Sequence, residues 1–336
     1  MRTDSERVSR EVSVPIFSAS VPPLVGAHRK TGTDSEHASR ELSVPGFPPA
    51  GWSSPPLVGA HMSIAGGVWR AFDRAREVRA NCLQVFVKSN VQWRFPVLTD
   101  EDVAKFKAEE LRAGITSVVA HACYLVNPAS PDKSVFRRSV EDLVKECEYA
   151  SRYRIPILVL HSGNGMGLSP ARGRARVAEA LREVLARTRG VELHVEIAAG
   201  SGTAVCWRFE HAADIIEKAG GRRLGLCLDT SHAFAAGYDI PMAEGYTAMK
   251  EDLRRLGLLL LVKVIHANDS KAPLASRVDR HTHIGRGFIG RKGFRRVMTD
   301  PDFRLVPKIL ETPKGMCGSR SCDALNISLL RRLARP

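Results

Sequence analysis

Residues Leu224 to Asp239 read LGLCLDTSHAFAAGYD. The segment opens with Leu224, Leu226 and Leu228 interleaved with Gly225 and Cys227, a short apolar run with the length and composition of a buried strand. The run ends on an acid, Asp229, and His232 follows three residues later. A carboxylate at a strand end with an imidazole just beyond it is the beginning of a metal site. It is also how a helix cap followed by an ordinary histidine reads. The rest of the chain decides between the two, because the same grammar recurs.

Short apolar runs fall at 57–61, 82–88, 117–124, 157–163, 192–198, 224–230, 261–269 and 308–313. Helical patterns lie between them. Val68, Phe72, Ala75 and Val78 share one face at the 3.6 period, as do Phe136, Val140, Leu143, Cys147 and Ala150. Further helices are expected near Thr99–Ala113, Pro170–Thr188, Arg208–Ala219, Met242–Leu256, Arg291–Met298 and Asp323–Leu333. Eight strands alternating with eight helices predict an α/β fold, a closed (β/α)8 TIM barrel. A doubly wound open sheet is the alternative, but the first unit lacks a glycine-rich phosphate loop and eight even units suit closure.

Most of the runs close on a metal-type ligand: His61 the first, His121 the third, His161 the fourth, Glu196 the fifth, Asp229 the sixth, His266 the seventh and Glu311 the eighth. In a barrel the carboxyl ends of the strands open on one face, so residues far apart in sequence converge there. Loops add His232 and the pair Asp279 and His281, whose two-residue spacing in extended chain points both side chains the same way. His61 reads equally well as a core histidine. His194 and His283 read as structural, His211 as a surface residue, and Asp269 either serves the site or ties its own loop. The nine remaining candidates are five His, two Asp and two Glu, too many for a single four-coordinate zinc and enough for two or three ions. The absence of cysteine from the set speaks against a structural zinc, and the His-carboxylate mixture suits Zn, Mn or Fe.

Composition bounds the partner. The 336 residues carry a formal charge of +14 and a pI near 9.8, which points to a polyanion, nucleic acid first. No apolar run reaches membrane-spanning length. The seven cysteines are scattered, odd in number and without a CxxC, so free thiols in a reducing compartment are expected. Residues 1–56 differ from the rest. SREVSVP at 9–15 returns as SRELSVP at 39–45, and PPLVGAH at 22–28 returns at 55–61. The stretch is rich in Ser and Pro with no sustained period, which reads as a disordered extension ahead of one catalytic domain at 57–336. Six acids balance six bases there, so the positive excess belongs to the barrel, and so many acids oppose an organelle-targeting peptide.

From Leu57 onward the chain resembles the endonuclease IV family of apurinic/apyrimidinic endonucleases. The motifs that carry the resemblance are GAHMSIAGG, HACYLVN, LCLDTSHAFAAGYD, HANDSKAPLASRVDRH, IGRGFIG and ILETP. It implies a (β/α)8 barrel with three zinc ions. His121, His161 and Glu196 would hold one; Glu196 would bridge to a second held by Asp229, His266 and Glu311; His232, Asp279 and His281 would hold the third. It also implies a monomeric hydrolase of base excision repair, in the bacterial cytoplasm. Such an enzyme cuts double-stranded DNA 5′ to an abasic site, leaving a 3′-hydroxyl and a 5′-deoxyribose phosphate. Glu196, Asp229 and Glu311 would be central to the chemistry. Lys88, Arg94, Lys271, Arg277 and Arg280 are candidate phosphate contacts, and Tyr124 and Leu125 candidate wedges into the stack. Four positions depart from the pattern: Ile197 replaces an Asn after the bridging Glu, Ser162 a Pro, Arg286 a Glu, and Val91 a common Arg. Two other readings remain at this level. One is a metal-dependent sugar isomerase on a similar barrel, opposed by the third ion position and the charge. The other is a DNA-binding remnant silenced by Ile197 and Arg286.

Overall fold

The computed structural model describes residues 55–335 other than Gly221. The repeat-bearing stretch and the expectation of disorder there lie outside the described residues. Eight parallel strands close a barrel: β1 (Val58–His61), β2 (Cys82–Phe86), β3 (Ser117–His121), β4 (Ile157–His161), β5 (Glu192–Glu196), β6 (Leu224–Asp229), β7 (Val262–His266) and β8 (Lys308–Leu310). Each strand pairs with the next in sequence, and β8 returns to β1 with Ala60 opposite Leu310. All eight apolar runs are barrel strands. The described chain joins the barrel slightly ahead of residue 57, since the Asn81 side chain donates to the Pro56 carbonyl at 3.1 Å and accepts from Val58 N at 2.8 Å.

Nine α-helices are found among the described residues. Their starts follow local chemistry. Thr99 closes a capping box with Asp102 ahead of α2 (Asp100–Ala113), and Ser169 caps α4 (Pro170–Arg187) with proline at the first turn. Apolar stripes then pin the helices to the barrel. Phe72 of α1 (Arg70–Glu77) meets Phe106 of α2 edge-on, with ring centroids 4.8 Å apart. Both rings are fully buried, each stabilising the packing by about 1.5–3 kcal/mol. The unforeseen helix is α6 (Thr230–Ala236), one short element inserted after β6. Asp229 is its N-cap and accepts from His232 N at 2.8 Å, so strand end, cap and imidazole are one device rather than alternatives. The remaining helices are α3 (Lys133–Tyr153), α5 (Phe209–Ala219), α7 (Ala243–Arg255), α8 (Gly290–Thr299) and α9 (Cys322–Leu333). No described helix is long and apolar enough to cross a membrane.

Alternation along the strands sorts the barrel interior into layers. The lower layer comprises Gly59, Cys82, Val119, Val159, His194, Cys227, Val264 and Ile309; apart from Gly59 and His194 these form one buried apolar cluster. His194 fits because β6 has Gly225 opposite it, where an added Cβ would come within 2.6 Å of the ring. Two residues further on, every strand or its immediate end carries a polar side chain: His61, Gln84, His121, His161, Glu196, Asp229, His266 and Glu311.

The cysteine expectation needs one correction. Cys82, Cys123, Cys147, Cys206 and Cys227 are free and buried, but Cys317 and Cys322 form a disulfide. A two-stranded turn, Met316–Cys317 against Arg320–Ser321, brings the first residue of α9 back against Cys317 with their Cα atoms 5.0 Å apart. A spacing of five residues showed no motif, and only the turn makes the bridge geometrically available.

Candidate metal centre

The upper interior layer is a cluster of imidazoles and carboxylates. Glu196, at the end of β5, lies at its middle and is fully buried. One of its oxygens is 3.2 Å from His121 Nε2 and 3.7 Å from His161 Nδ1. The other is 3.2 Å from His266 Nδ1 and 3.3 Å from His232 Nδ1. Glu311 stands 3.3 Å from His266 Nδ1, and Asp229 stands 4.0 Å from it. On the loop side, His232 Nε2 and His281 Nε2 approach to 3.3 Å, with Asp279 Oδ1 at 3.2 and 3.5 Å from them. All nine sequence candidates thus fall into three adjoining groups: His121, His161, Glu196; Glu196, Asp229, His266, Glu311; and His232, His281 with Asp229 and Asp279.

These spacings fit metal ligation. Donors around a tetrahedral zinc at ~2.1 Å stand ~3.4 Å from one another. The orphaned atoms give the sharper test. Glu196 Oε1 and His266 Nδ1 are buried and 3.2 Å apart, yet neither makes a hydrogen bond. Two buried polar atoms left without hydrogen bonds at that separation would both be satisfied by one shared cation. The His232 and His281 nitrogens at 3.3 Å can share either a proton or a cation, and Asp279 beside both suits a cation.

A second set of partners fixes which nitrogen faces the centre. His121 Nδ1 donates to the Ala122 carbonyl at 2.7 Å, and His266 Nε2 donates to Gln84 Oε1 at 2.9 Å. The Gln84 amide donates in turn to Glu311 Oε1 at 2.8 Å and to His61 Nδ1 at 2.9 Å. His61 therefore belongs with the supports and stays out of the three groups. Asn268 donates to Asp229 Oδ2 at 2.7 Å while its own carbonyl accepts from Glu311 N at 2.7 Å. Gln84 and Asn268 were not singled out in the sequence; a polar residue facing inward on a barrel strand was the one available signal for Gln84. Asn268→Ala is expected to lower metal affinity about 10–100-fold, checked by competition with a calibrated chelator. Unchanged affinity would remove Asn268 from the supporting set.

Electrostatics follow from this density of charge. Burial alone would raise the Glu196 carboxyl, but the imidazoles of His161 and His266, with His121 and His232 against its oxygens, hold it well below the usual range. Burial opposes the charged forms of His232 and His266. For His232 the carboxylates of Asp229, Asp279 and Glu196 outweigh it, and for His266 those of Glu311 and Glu196 do, so both rings are raised well above an ordinary imidazole. The Cys227 thiol beside them is pushed by burial up to about 12, so it is no thiolate ligand near neutral pH.

Two of the departures from the family pattern leave this machinery alone. The Ile197 side chain is buried in the core, and its backbone carbonyl accepts from His232 Nδ1 at 2.9 Å, a role any residue supplies. Arg286 is exposed, while its neighbours Gly285 and Gly287 donate their backbone N–H groups to Asp269 at 2.8 and 3.0 Å. Ile289 N and Gly290 N also donate to Asp269, so that acid ties the 285–290 loop and ligates nothing.

The outer candidates divide. Lys88 is a correction: it is 1% exposed, donates to the Gln92 carbonyl at 2.6 Å and lies 3.3 Å from Asp142, with Glu146 at 4.0 Å. These acids come from α3, so in this structure the ammonium is paired within the fold rather than presented at the surface. Arg94, Lys271, Arg277 and Arg280 are exposed, Arg277 with its guanidinium 4.2 Å above the Trp207 ring. Tyr124 is 56% exposed on the rim, edge-on to Phe86 with centroids 5.4 Å apart, whereas Leu125 is half-buried against the core.

Comparison with known proteins adds an independent line. The family described as a xylose isomerase-like TIM barrel matches residues 72–324. The chain is 43% identical over 283 residues to a probable endonuclease 4 of Chloroflexus aggregans, covering 83% of this chain and 98% of that one. It is 37% identical to endonuclease IV from Thermus thermophilus, whose crystal structure aligns with a TM-score of 0.71 over 83% of this chain and 98% of that one. A D-tagatose 3-epimerase-like protein aligns with a TM-score of 0.64 over 82% of this chain and 96% of that one, at 17% identity, a likeness of fold alone.

Proposed function

We infer the function from one premise: the chain belongs to the endonuclease IV family. On that reading it is a DNA repair hydrolase that cuts the phosphodiester 5′ to an abasic site, leaving a 3′-hydroxyl and a 5′-deoxyribose phosphate. The observation that carries the reading is the convergence of nine ligand-type residues in three adjoining groups, with the Glu196 and His266 atoms buried, adjacent and without hydrogen bonds.

His121, His161 and Glu196 would hold one zinc, Glu196, Asp229, His266 and Glu311 a second, and His232, Asp279 and His281 a third. Bound zinc lowers the pKa of water toward neutrality and offsets charge on the phosphate and leaving oxygen. The chain's own part is to hold this charge rigidly. Three divalent ions against four carboxylates leave the centre net positive, which suits a phosphodiester. Gln84 and Asn268 keep Glu311, His266 and Asp229 in register, so little reorganisation is needed during reaction. Exposed Arg94, Lys271, Arg277 and Arg280 would meet phosphates around the mouth, and Tyr124 would stack into the gap left by the missing base. The missing base lowers the cost of extruding the sugar, giving selectivity over intact duplex without base readout.

The test is incision of a duplex with one abasic analogue in several flanking sequences, alongside metal analysis of the purified protein. Similar rates in every context, a 3′-hydroxyl product and close to three ions per chain are expected. A 3′ unsaturated aldehyde would mean lyase chemistry. At most one ion with no incision would return the isomerase-like reading.

A further inference from the structure

A cleft of about 880 Å³ opens beside the centre, with His61, Tyr124, Glu311 and Lys314 in its walls. It extends to Glu77, Val78 and Ser321. The same three residues wall a second cavity, of about 440 Å³, between the end of α1 and α9, so cleft and cavity adjoin. Five arginines line that second cavity, Arg79, Arg320, Arg331, Arg332 and Arg335, against one acid, Glu77.

These guanidiniums differ from their neighbours. Arg70 and Arg76 pair with Asp73, and Arg112 pairs with Glu109. Among the described residues none of the five has a carboxylate within ion-pair distance. Arg331 is half-buried, and its Nε is shut off from solvent without a hydrogen-bond partner. Burial lowers its pKa, the mark of a charge held at a cost. A guanidinium with one nitrogen buried and unpartnered, and no carboxylate in reach, gains from an acceptor brought to its remaining donors. The lining has a helical order: Ala324, Ser328 and Arg331 follow one face of α9, with Arg335 just past its end, small residues first and guanidiniums beyond. That makes a shallow floor with donors at its far end. A phosphate offers paired oxygens matching the guanidinium fork.

We propose that this cavity holds phosphodiester backbone: a strand of DNA leaving the metal centre through the cleft continues between α1 and α9, its phosphates neutralised by Arg79, Arg320, Arg331, Arg332 and Arg335. The proposal rests on DNA being the substrate. It extends the contact surface from the mouth of the barrel onto its flank, so affinity depends on duplex well beyond the lesion.

The test uses the full chain and two duplexes with the same abasic analogue, one with short flanks and one extended by about a helical turn on each side, the latter adding phosphates at one per 1.7 Å of axis. Binding is followed over a range of salt for the wild type, for Arg79→Gln/Arg332→Gln/Arg335→Gln, whose side chains are exposed, and for Arg331→Met. The wild type should bind the long duplex more tightly and with a steeper salt slope than the short one. In the variants that difference should shrink, the slope on the long duplex becoming shallower by roughly 0.9 for each phosphate no longer neutralised. Wild-type length dependence in the exposed triple variant overturns the proposal, whether or not Arg331→Met folds. So does saturable pyrophosphate binding that Arg331→Met abolishes while the length dependence stays intact, since the cavity would then be a small-anion site. If the wild type binds with the predicted length dependence and incises neither duplex, the cavity assignment stands and the endonuclease reading falls.

Discussion

Glu196→Gln is expected to lower incision by at least the roughly 10²–10³-fold that loss of one oxyanion donor costs in other enzymes. The substitution is nearly isosteric, so it isolates charge. In the wild type one carboxylate faces His121 and His161 with one oxygen and His232 and His266 with the other, at 3.2 to 3.7 Å. If Glu196 bridges two ions, an amide weakens both sites together, and bound metal should fall from about three ions toward one. The fold should persist, because the lower apolar layer and the helix packing do not involve Glu196. Metal content, incision rate and circular dichroism on one preparation check all three parts. A variant that keeps three ions and near wild-type turnover would sink the bridging role. Glu311→Gln should behave alike with a smaller loss of metal, since Glu311 belongs to one group only.

Asp269→Ala should produce the largest loss of stability. The buried Asp269 carboxylate accepts from the backbone N–H groups of Ser270, Gly285, Gly287, Ile289 and Gly290 at 2.8 to 3.3 Å. Each donor stranded away from water costs about 1–3 kcal/mol, and partial resolvation of the loop brings the net to roughly 3–5 kcal/mol. At about 2–4 °C per kcal/mol the melting temperature should fall on the order of 10 °C. Asp269→Asn keeps one accepting oxygen and should lose less. Gly287→Ala tests the same packing from the other side, because a Cβ there would lie 2.3 Å from the Ser270 carbonyl oxygen and 2.5 Å from Asp269 Oδ1. Amide exchange at Gly285–Gly290 should rise with the drop in melting temperature. Wild-type melting of Asp269→Ala would show that the loop is held by other contacts.

The barrel and the central cluster were legible because two periodicities overlap. Alternation along a strand decides which residues face inward, and closure brings the last inward residue of each strand to one level. His121, His161, Glu196, Asp229, His266 and Glu311 needed nothing more. What sequence could not give is partnership across long separations. Gln84 reads as one polar residue in an apolar run, until β7 and β8 bring His266 and Glu311 to its amide. Lys88 sits in a stretch resembling a DNA-probing loop, and only the packing of α3 reveals the acids that bury it. At Ile197 the sequence shows an apolar side chain beside Glu196, and only the fold shows it packed into the core while its backbone carbonyl accepts from His232. Asp269 was left between two roles by the sequence, and the five N–H groups around it decide for the loop.

The apolar layer beneath the ligands turns the barrel into a blind well. Val119, Val159, Val264 and Ile309 close the shaft from below, with Cys82 and Cys227 as protonated thiols among them. Ions held above that stopper would exchange on the side of the mouth and its adjoining cleft, which a bound duplex would cover. Residence would then depend on traffic: a chelator would empty the resting protein at a rate set by ligand exchange, and the engaged protein only as fast as DNA departs. Starvation for metal would act between turnovers and spare the encounter already in progress.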